Sequence, residues 1–225
     1  MLKASDVMVR NVISVGPETD VTEAMKILAE RDISALPVLD EAGMLIGLVS
    51  EADLMRRASL GTEKHRPWFI EAVTPSSILA EDYAKSHGRR VAEVMTQDVV
   101  TVTAETAVSE IANLLERNRI KRVPVVADGK VIGIVSRSNL IQALASGSAV
   151  ASASSENDRA LRDKILVRLS DQPWTHFGEP NVVVRDGVVH LWGLVGTPEE
   201  HKALLALAED AGAVRVDDDM IPSYA

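Results

Sequence analysis

Apolar residues in this chain fall into short runs, separated by polar segments that carry apolar residues at helical spacing. Val12-Ile13-Ser14-Val15 is a short strand-like run. Polar residues then open a helix whose apolar positions are Val21, Ala24 and Leu28, one face of a helical period. Leu36-Pro37-Val38-Leu39 predicts a strand, Gly43 marks a turn, and Leu45 to Val49 predicts a second strand. Another helix begins near Ser50. The same order then returns. Val99-Val100-Thr101-Val102 is the short run, and Val108, Ile111 and Leu115 form the helix face. Val123-Pro124-Val125-Val126 and Val131 to Val135 are the strands, joined at Asp128-Gly129, a hairpin signal. A helix opens near Ser136. The order is β-α-β-β-α, twice.

Self-comparison supports the repeat. At a shift of 87, Val7-Met8 falls on Val94-Met95, Glu18-Thr19 on Glu105-Thr106, and Pro37-Val38 on Pro124-Val125. One residue drops out near Ala42, and at a shift of 86 Gly47, Val49, Ser50 and Leu54 fall on Gly133, Val135, Ser136 and Leu140. From Val7 to Leu54, 18 of 47 aligned pairs are identical. Chance would give about 3, so the chain contains itself twice. Half of such a pair cannot cover its own sheet, and the two copies are expected to pack sheet against sheet around a shared core.

The stretch from about Arg57 to Arg90 matches nothing internal. It holds Lys64-His65-Arg66, Pro67-Trp68-Phe69, Thr74-Pro75 and Arg89-Arg90, and reads as part helix and part loop. After Ala145 comes SGSAVASASSEN, a flexible linker by composition. Asp158 to Ser170 then predicts a helix with Leu161, Ile165, Leu166 and Leu169 on its apolar face. Val182-Val183-Val184 and Val188-Val189-His190-Leu191 flank Arg185-Asp186-Gly187, a hairpin. Pro198 with Glu199 and Glu200 opens a helix to about Gly212, and Val214 to Val216 predicts a last strand. The tail is α-β-β-α-β.

Composition narrows the function. Of the 225 residues 46% are hydrophobic and 25% charged, as in ordinary globular proteins, but only 3% are aromatic. The core must therefore be aliphatic. With no cysteine, disulfides, thiolate metal sites and thiol nucleophiles are excluded. A formal net charge of −9 argues against a nucleic-acid partner, so any bound phosphate needs a local basic pocket. The start, MLKASDVMVRNV, has no secretory pattern, no run approaches a membrane span, and a cytoplasmic location is expected.

Gly47-Leu48-Val49-Ser50-Glu51-Ala52-Asp53 and Gly133-Ile134-Val135-Ser136-Arg137-Ser138-Asn139 carry a family pattern, as do the two strands around Pro37-Val38 and Pro124-Val125. The double repeat resembles a pair of CBS domains, regulatory modules of the cystathionine-β-synthase type, over about residues 1 to 145. The tail looks like a BON domain, with Val189-x-Leu191-x-Gly193-x-Val195 as its core strand. The expected fold class is α/β (α+β). Residues 1–60 form the first repeat, 61–90 an insert, 91–146 the second repeat, 147–156 a linker and 157–225 the BON-like domain.

Ser50-x-x-Asp53 by itself reads as a helix cap, with hydroxyl and carboxylate at the positive helix end. The same groups suit a ligand, since free amides attract phosphate and a carboxylate accepts from both ribose hydroxyls. The resemblance implies an adenine nucleotide between the repeats: AMP, ADP or ATP, with S-adenosylmethionine or NAD left open. The second copy has neutral Asn139 for Asp53, and Arg119, Lys121 and Arg122 for Asp32, Ser34 and Ala35. In CBS pairs the aspartate of one repeat works with basic residues of the other. That implies one good site: Ser50 and Asp53 on ribose, Lys121 and Arg122 on phosphate, and Val99, Val100 and Pro124 beneath adenine. Taken alone, Lys121-Arg122 reads as a solvated helix end. The opposite site, with Asn139, Ser34 and Ala35, is expected to be weak, empty or differently selective, and Ser136 and Arg137 are the residues that could rescue it.

Other signals read as structural. His65, His87, His176, His190 and His201 show no metal spacing. Met8, Met25, Met44, Met55 and Met95 occupy apolar positions and read as core. Arg56-Arg57 reads as a solvated helix end, and Asp217-Asp218-Asp219 as a hydrated terminal run. Trp174, Phe177 and Trp192 are expected to complete the core of the tail, or else to form a contact surface. No catalytic constellation or phosphate loop appears, and an enzyme is not expected. The reading is a homodimeric sensor whose BON-like domain relays to a protein partner or a phospholipid surface. Its alternative is a scaffold or adaptor that binds no nucleotide.

Overall fold

The computed structural model describes residues 1–55, 74–79, 87–146, 155–174 and 181–223. Arg56-Arg57, Lys64-His65-Arg66, Pro67-Trp68-Phe69, His176, Phe177 and linker residues 147–154 lie outside the described residues. The elements run α1 (Ala4–Val7), α2 (Val21–Glu30), β1 (Ala35–Leu39), β2 (Leu45–Ser50), α3 (Glu51–Met55), α4 (Val91–Val94) and α5 (Val108–Arg117). They continue with β3 (Arg122–Ala127), β4 (Lys130–Ser136), α6 (Arg137–Ala145), α7 (Glu156–Ser170), β5 (Asn181–Arg185), β6 (Val188–Val195), α8 (Pro198–Ala211) and β7 (Arg215–Pro222). The chain divides into two compact units, Ile13–Val99 and Met1–Val12 with Val100–Ala225.

In the unit Ile13–Val99, β1 and β2 form an antiparallel hairpin. Val21, Ala24 and Leu28 of α2 are buried with Leu36, Val38, Val49, Val91 and Val94. The second repeat is built alike, with Val108, Ile111 and Leu115 of α5 buried against Val123, Val125 and Val135. Its strands meet in a two-residue turn with Asp128 at φ 49° and Gly129 at φ 77°. Both positive values suit the right-handed twist of a hairpin. The first hairpin carries one residue more, and Asp40 Oδ1 accepts from the amides of Ala42 at 2.9 Å and Met44 at 2.8 Å.

The strand expected at the start of each repeat shrinks to a single bridge. Val15 pairs with Val38 and Val102 with Val125, both parallel. Val15 N–H donates to the Pro37 carbonyl at 3.0 Å, and Val15 O accepts from Leu39 N–H at 2.9 Å. Extending the ladder backward would need an N–H from Pro37, which has none. Pro124 imposes the same stop in the second repeat.

The segments before the repeats are exchanged. Leu48 on β2 bridges Thr96, and Ile134 on β4 bridges Val9. Residues 1–12, contiguous with the first repeat, thus pack in the unit of the second. Met8 and Met95 are buried as expected, whereas Met55 is 62% exposed.

The tail forms a three-stranded sheet in the order β5-β6-β7, with β7 parallel to β6. Ile165, Leu169, Val182, Val189, Leu191, Leu204 and Ala208 make its core, with Trp174 packed against them. Asp217-Asp218-Asp219 is not a hydrated tail. It lies inside β7, which runs well past the expected Val216 because each residue to Pro222 finds a partner on β6. β7 is an edge strand, where charge is tolerated. Asp217 and Asp219 flank His190, and Asp218 Oδ2 lies 2.7 Å from His201 Nε2. Trp192 lies outside the core cluster; its Nε1 donates to Ser146 Oγ of the second repeat at 3.2 Å.

Polar side chains seat this domain on the second repeat. Arg162 is 3% exposed and donates from Nε to Val182 O at 2.7 Å, from Nη1 to Ser5 O at 2.9 Å and from Nη2 to Met8 O at 2.7 Å. Burial pulls its pKa down to about 10, so it remains charged at neutral pH. Nearby, Arg159 Nε meets buried Asp6 Oδ1 at 2.9 Å. Asp158 is buried too, and its Oδ1 accepts from Gly187 N–H at 2.9 Å, tying the start of α7 to the β5–β6 turn.

Arg162→Met leaves three carbonyls without their donor, two of them in buried bonds, and is expected to cost about 3 kcal/mol in urea unfolding. Burial raises the Asp158 pKa, but bonds from Gly187 and Ser155 outweigh it and hold the group below 3.8. A carboxyl with a depressed folded pKa stabilises the fold above its unfolded value, and that contribution is lost as pH falls through the folded one. Asp158→Asn is therefore expected to cost about 1–2 kcal/mol at pH 7. The deficit should shrink in unfolding titrations taken down through pH 3.8 and below.

Candidate functional site

Each repeat ends its hairpin on a serine and turns at once into a helix. In the first, Asp53 Oδ2 accepts from Ser50 N–H at 2.9 Å and Ser50 Oγ at 2.6 Å. In the second, Asn139 Oδ1 accepts from Ser136 N–H at 2.8 Å and from its hydroxyl at 2.8 Å. Asn139 N–H lies 3.3 Å from Ser136 Oγ, which completes a reciprocal cap. At Ser136 the hydroxyl caps an early amide, whereas at Ser50 it donates to Asp53, so the capping reading of Ser50-x-x-Asp53 is met by the carboxylate and not by the hydroxyl.

The caps leave different chemistry behind. One Asp53 oxygen carries both bonds, and the other makes no hydrogen bond among the described residues. Asp53 is half-buried, so this oxygen is a charged acceptor with spare capacity. The single oxygen of Asn139 has both lone pairs engaged, its nitrogen is directed at Gln142 Oε1 at 3.5 Å, and the residue is 6% exposed.

The glycine of each motif is required by close approach, not by backbone angle. A Cβ on Gly47 would press on the Met95 side chain and stand 3.2 Å from Thr96 O. One on Gly133 would press on Met8 and stand 3.0 Å from Val9 O. The methionine-bearing segments can seat only where no side chain intervenes.

The other sequence-predicted residues divide between the units. Lys121 is exposed, and its carbonyl accepts from Arg137 N–H at 3.0 Å. Arg122 is half-buried and lies directly across the hairpin from Ser136, within its own repeat. Ser50 and Asp53 belong to the unit Ile13–Val99. Arg137 Nη2 donates to Leu115 O at 3.2 Å, so this guanidinium is engaged at the end of α5. Val99 and Val100 are half-buried, and Val100 packs on the core of the second repeat. Pro124 is buried, its carbonyl taken by Val102 N–H at 3.0 Å.

Sequence reasoning missed the polar groups that seat the tail. Asp158 and Arg162 share a helix face with Ile165 and Leu169, and that spacing was the available signal. A hollow of about 560 Å³ opens on the tail, lined by Asn157, Leu161, Lys164, Asp186, Gly212 and Val214. Lys164 Nζ there is bonded to Ala211 O at 2.6 Å. Among the described residues no acidic, His or Cys cluster could hold a metal, and no helix is long and apolar enough to cross a membrane.

Comparison with known proteins places these features in families. The CBS domain family matches residues 4–59 and 91–146, and the BON domain family matches residues 157–221. The chain is 32% identical over 140 residues to the chloroplastic CBS domain-containing protein CBSX2 of Arabidopsis thaliana, covering 60% of this chain and 59% of that protein. It thus spans less than two thirds of this relative's length. Protein MJ1426 of Methanocaldococcus jannaschii is 29% identical over 155 residues, covering 62% of this chain and 89% of that one. Among solved structures, CBSX2 in complex with AMP superposes with a TM-score of 0.57 at 32% identity, over 65% of this chain and 98% of that one.

Gly47→Ala is expected to lower stability by about 1–3 kcal/mol through overpacking. Chemical unfolding followed by circular dichroism would detect it.

Proposed function

Since the chain belongs to the CBS-domain proteins, as a CBS pair followed by a BON domain, we propose that it is a regulatory sensor of an adenine nucleotide rather than an enzyme. The observation that carries this reading is the spare charged oxygen of Asp53, held in place by its partner oxygen on Ser50. A fixed carboxylate that can accept two hydrogen bonds matches the two hydroxyls of a ribose. The AMP complex of CBSX2 supports the ligand class. In the proposed site Ser50 and Asp53 hold ribose, Lys121 and Arg122 of the other repeat hold phosphate, and adenine lies on Val99, Val100 and Pro124. AMP, ADP and ATP are the first candidates, with S-adenosylmethionine and NAD behind them.

The subsite at Asn139 is the weaker one, with Ser136 at its edge. Arg137 spends one of its five N–H groups on Leu115 O and, with Ser136, is the residue that could rescue it. A cytoplasmic homodimer formed through the CBS pair completes the proposal, with the BON domain relaying the signal to a protein or phospholipid partner. To act as a sensor, the ligand must favour one arrangement of the chain over another. The second reading, a scaffold that binds no nucleotide, draws support from Asn139, whose only oxygen is fully engaged.

Calorimetric titration with AMP and ATP distinguishes them. Affinity is expected between micromolar and millimolar, roughly −8 to −4 kcal/mol. Asp53→Ala should weaken binding at least tenfold, while Asn139→Ala should leave it within about twofold, since a charged acceptor is worth more than a neutral one. Equal losses would refute the single strong site, and absence of heat in the unaltered chain would favour the scaffold.

A further inference from the structure

Asn139 is joined to the BON domain by a chain of amides. Its Nδ2 donates to Gln142 Oε1 at 3.5 Å, and the same oxygen accepts from Asn181 Nδ2 at 2.6 Å. Asn181 opens β5 of the BON sheet and is 5% exposed. Its own Oδ1 makes no hydrogen bond among the described residues. One turn further along α6, the Gln142 carbonyl accepts from Ser146 Oγ at 2.9 Å, and that hydroxyl accepts from Trp192 Nε1 at 3.2 Å. The BON domain thus holds α6 at two successive points.

A buried amide that loses its partner is costly, so Asn181 fixes Gln142 with its oxygen inward. That oxygen asks for a donor at position 139. A carboxamide supplies one, whereas an acidic residue would set a second oxygen against it. The BON contact therefore gives a physical reason for asparagine in the second copy where the first has Asp53.

We propose that Gln142 is a positioning residue through which the docked BON domain holds the Asn139 carboxamide away from a ligand, making this domain a built-in restraint on adenosine binding at the second subsite. The inference rests on the adenine-nucleotide reading above. A ribose hydroxyl accepts as well as donates; with the Asn139 oxygen filled by Ser136, Nδ2 is what this side chain has left to offer a hydroxyl, and Nδ2 is drawn toward Gln142. Ligand and amide chain compete for one side chain, so by linkage each weakens the other.

The test uses the full chain carrying Asp53→Ala, to silence the stronger subsite, with AMP as the calorimetric probe up to millimolar concentration. Gln142→Met keeps the length of a half-buried side chain and removes the acceptor; Gln142→Glu keeps acceptor oxygens. Adding Gln142→Met is expected to tighten AMP binding at least fivefold, while Gln142→Glu stays within twofold of the Asp53→Ala protein. No tightening with Gln142→Met overturns the proposal, even if the melting temperature drops, because stability alone would then explain the contact. Equal tightening with Gln142→Glu overturns it as well. In either case AMP binding by the Asp53-intact chain leaves the nucleotide reading standing. If that chain gives no heat with AMP, the nucleotide reading fails and the proposal falls with it.

Discussion

A two-stranded hairpin is marginal in water, and each repeat of this chain is built on one. What completes it is a segment laid along the open edge of its second strand, Met95-Thr96 for the first repeat and Met8-Val9 for the second. The seat exists only because Gly47 and Gly133 present no Cβ to the methionine. On the opposite edge, Pro37 and Pro124 withhold an N–H and limit pairing to one bridge. Each small sheet is thereby finished on both sides by single contacts, and its last residue, a serine, is delivered to the start of a helix.

That delivery sets the chemistry. The same two bonds from serine to residue i+3 occur twice, but what they leave behind differs: a charged oxygen in reserve at Asp53, and a fully engaged carboxamide at Asn139. The asymmetry needs no difference in backbone. It follows from one substitution, and the surroundings of the second copy favour that substitution.

Through Gln142 those surroundings lead to the BON domain. Its seat is polar where most domain contacts are apolar. A buried guanidinium satisfied by three carbonyls has little freedom to re-pack, because every alternative position leaves several groups unpaired. Arg159 with Asp6, Gln142 with Asn181 and Ser146 with Trp192 add further directional bonds. A contact of this kind fixes orientation more than it adds stability.

The repeat, the helix faces, the hairpin turns and the Asp53 carboxylate at the start of α3 were all legible in the sequence, because each depends on residues within a few positions of one another. Apolar spacing named Val21, Ala24 and Leu28 as buried, and Asp128-Gly129 announced its turn. The two candidate serines and their acidic or amide partners were legible for the same reason. The exchange of edge segments, the true extent of β7, the role of Trp192 and the partners of Arg162 were decided by tertiary structure alone. Arg162 and Met8 lie 154 positions apart, and Asn181 and Gln142 lie 39 apart. No local pattern encodes which distant carbonyl will receive a donor; that is settled only when packing removes water and leaves each buried polar group to find its partner.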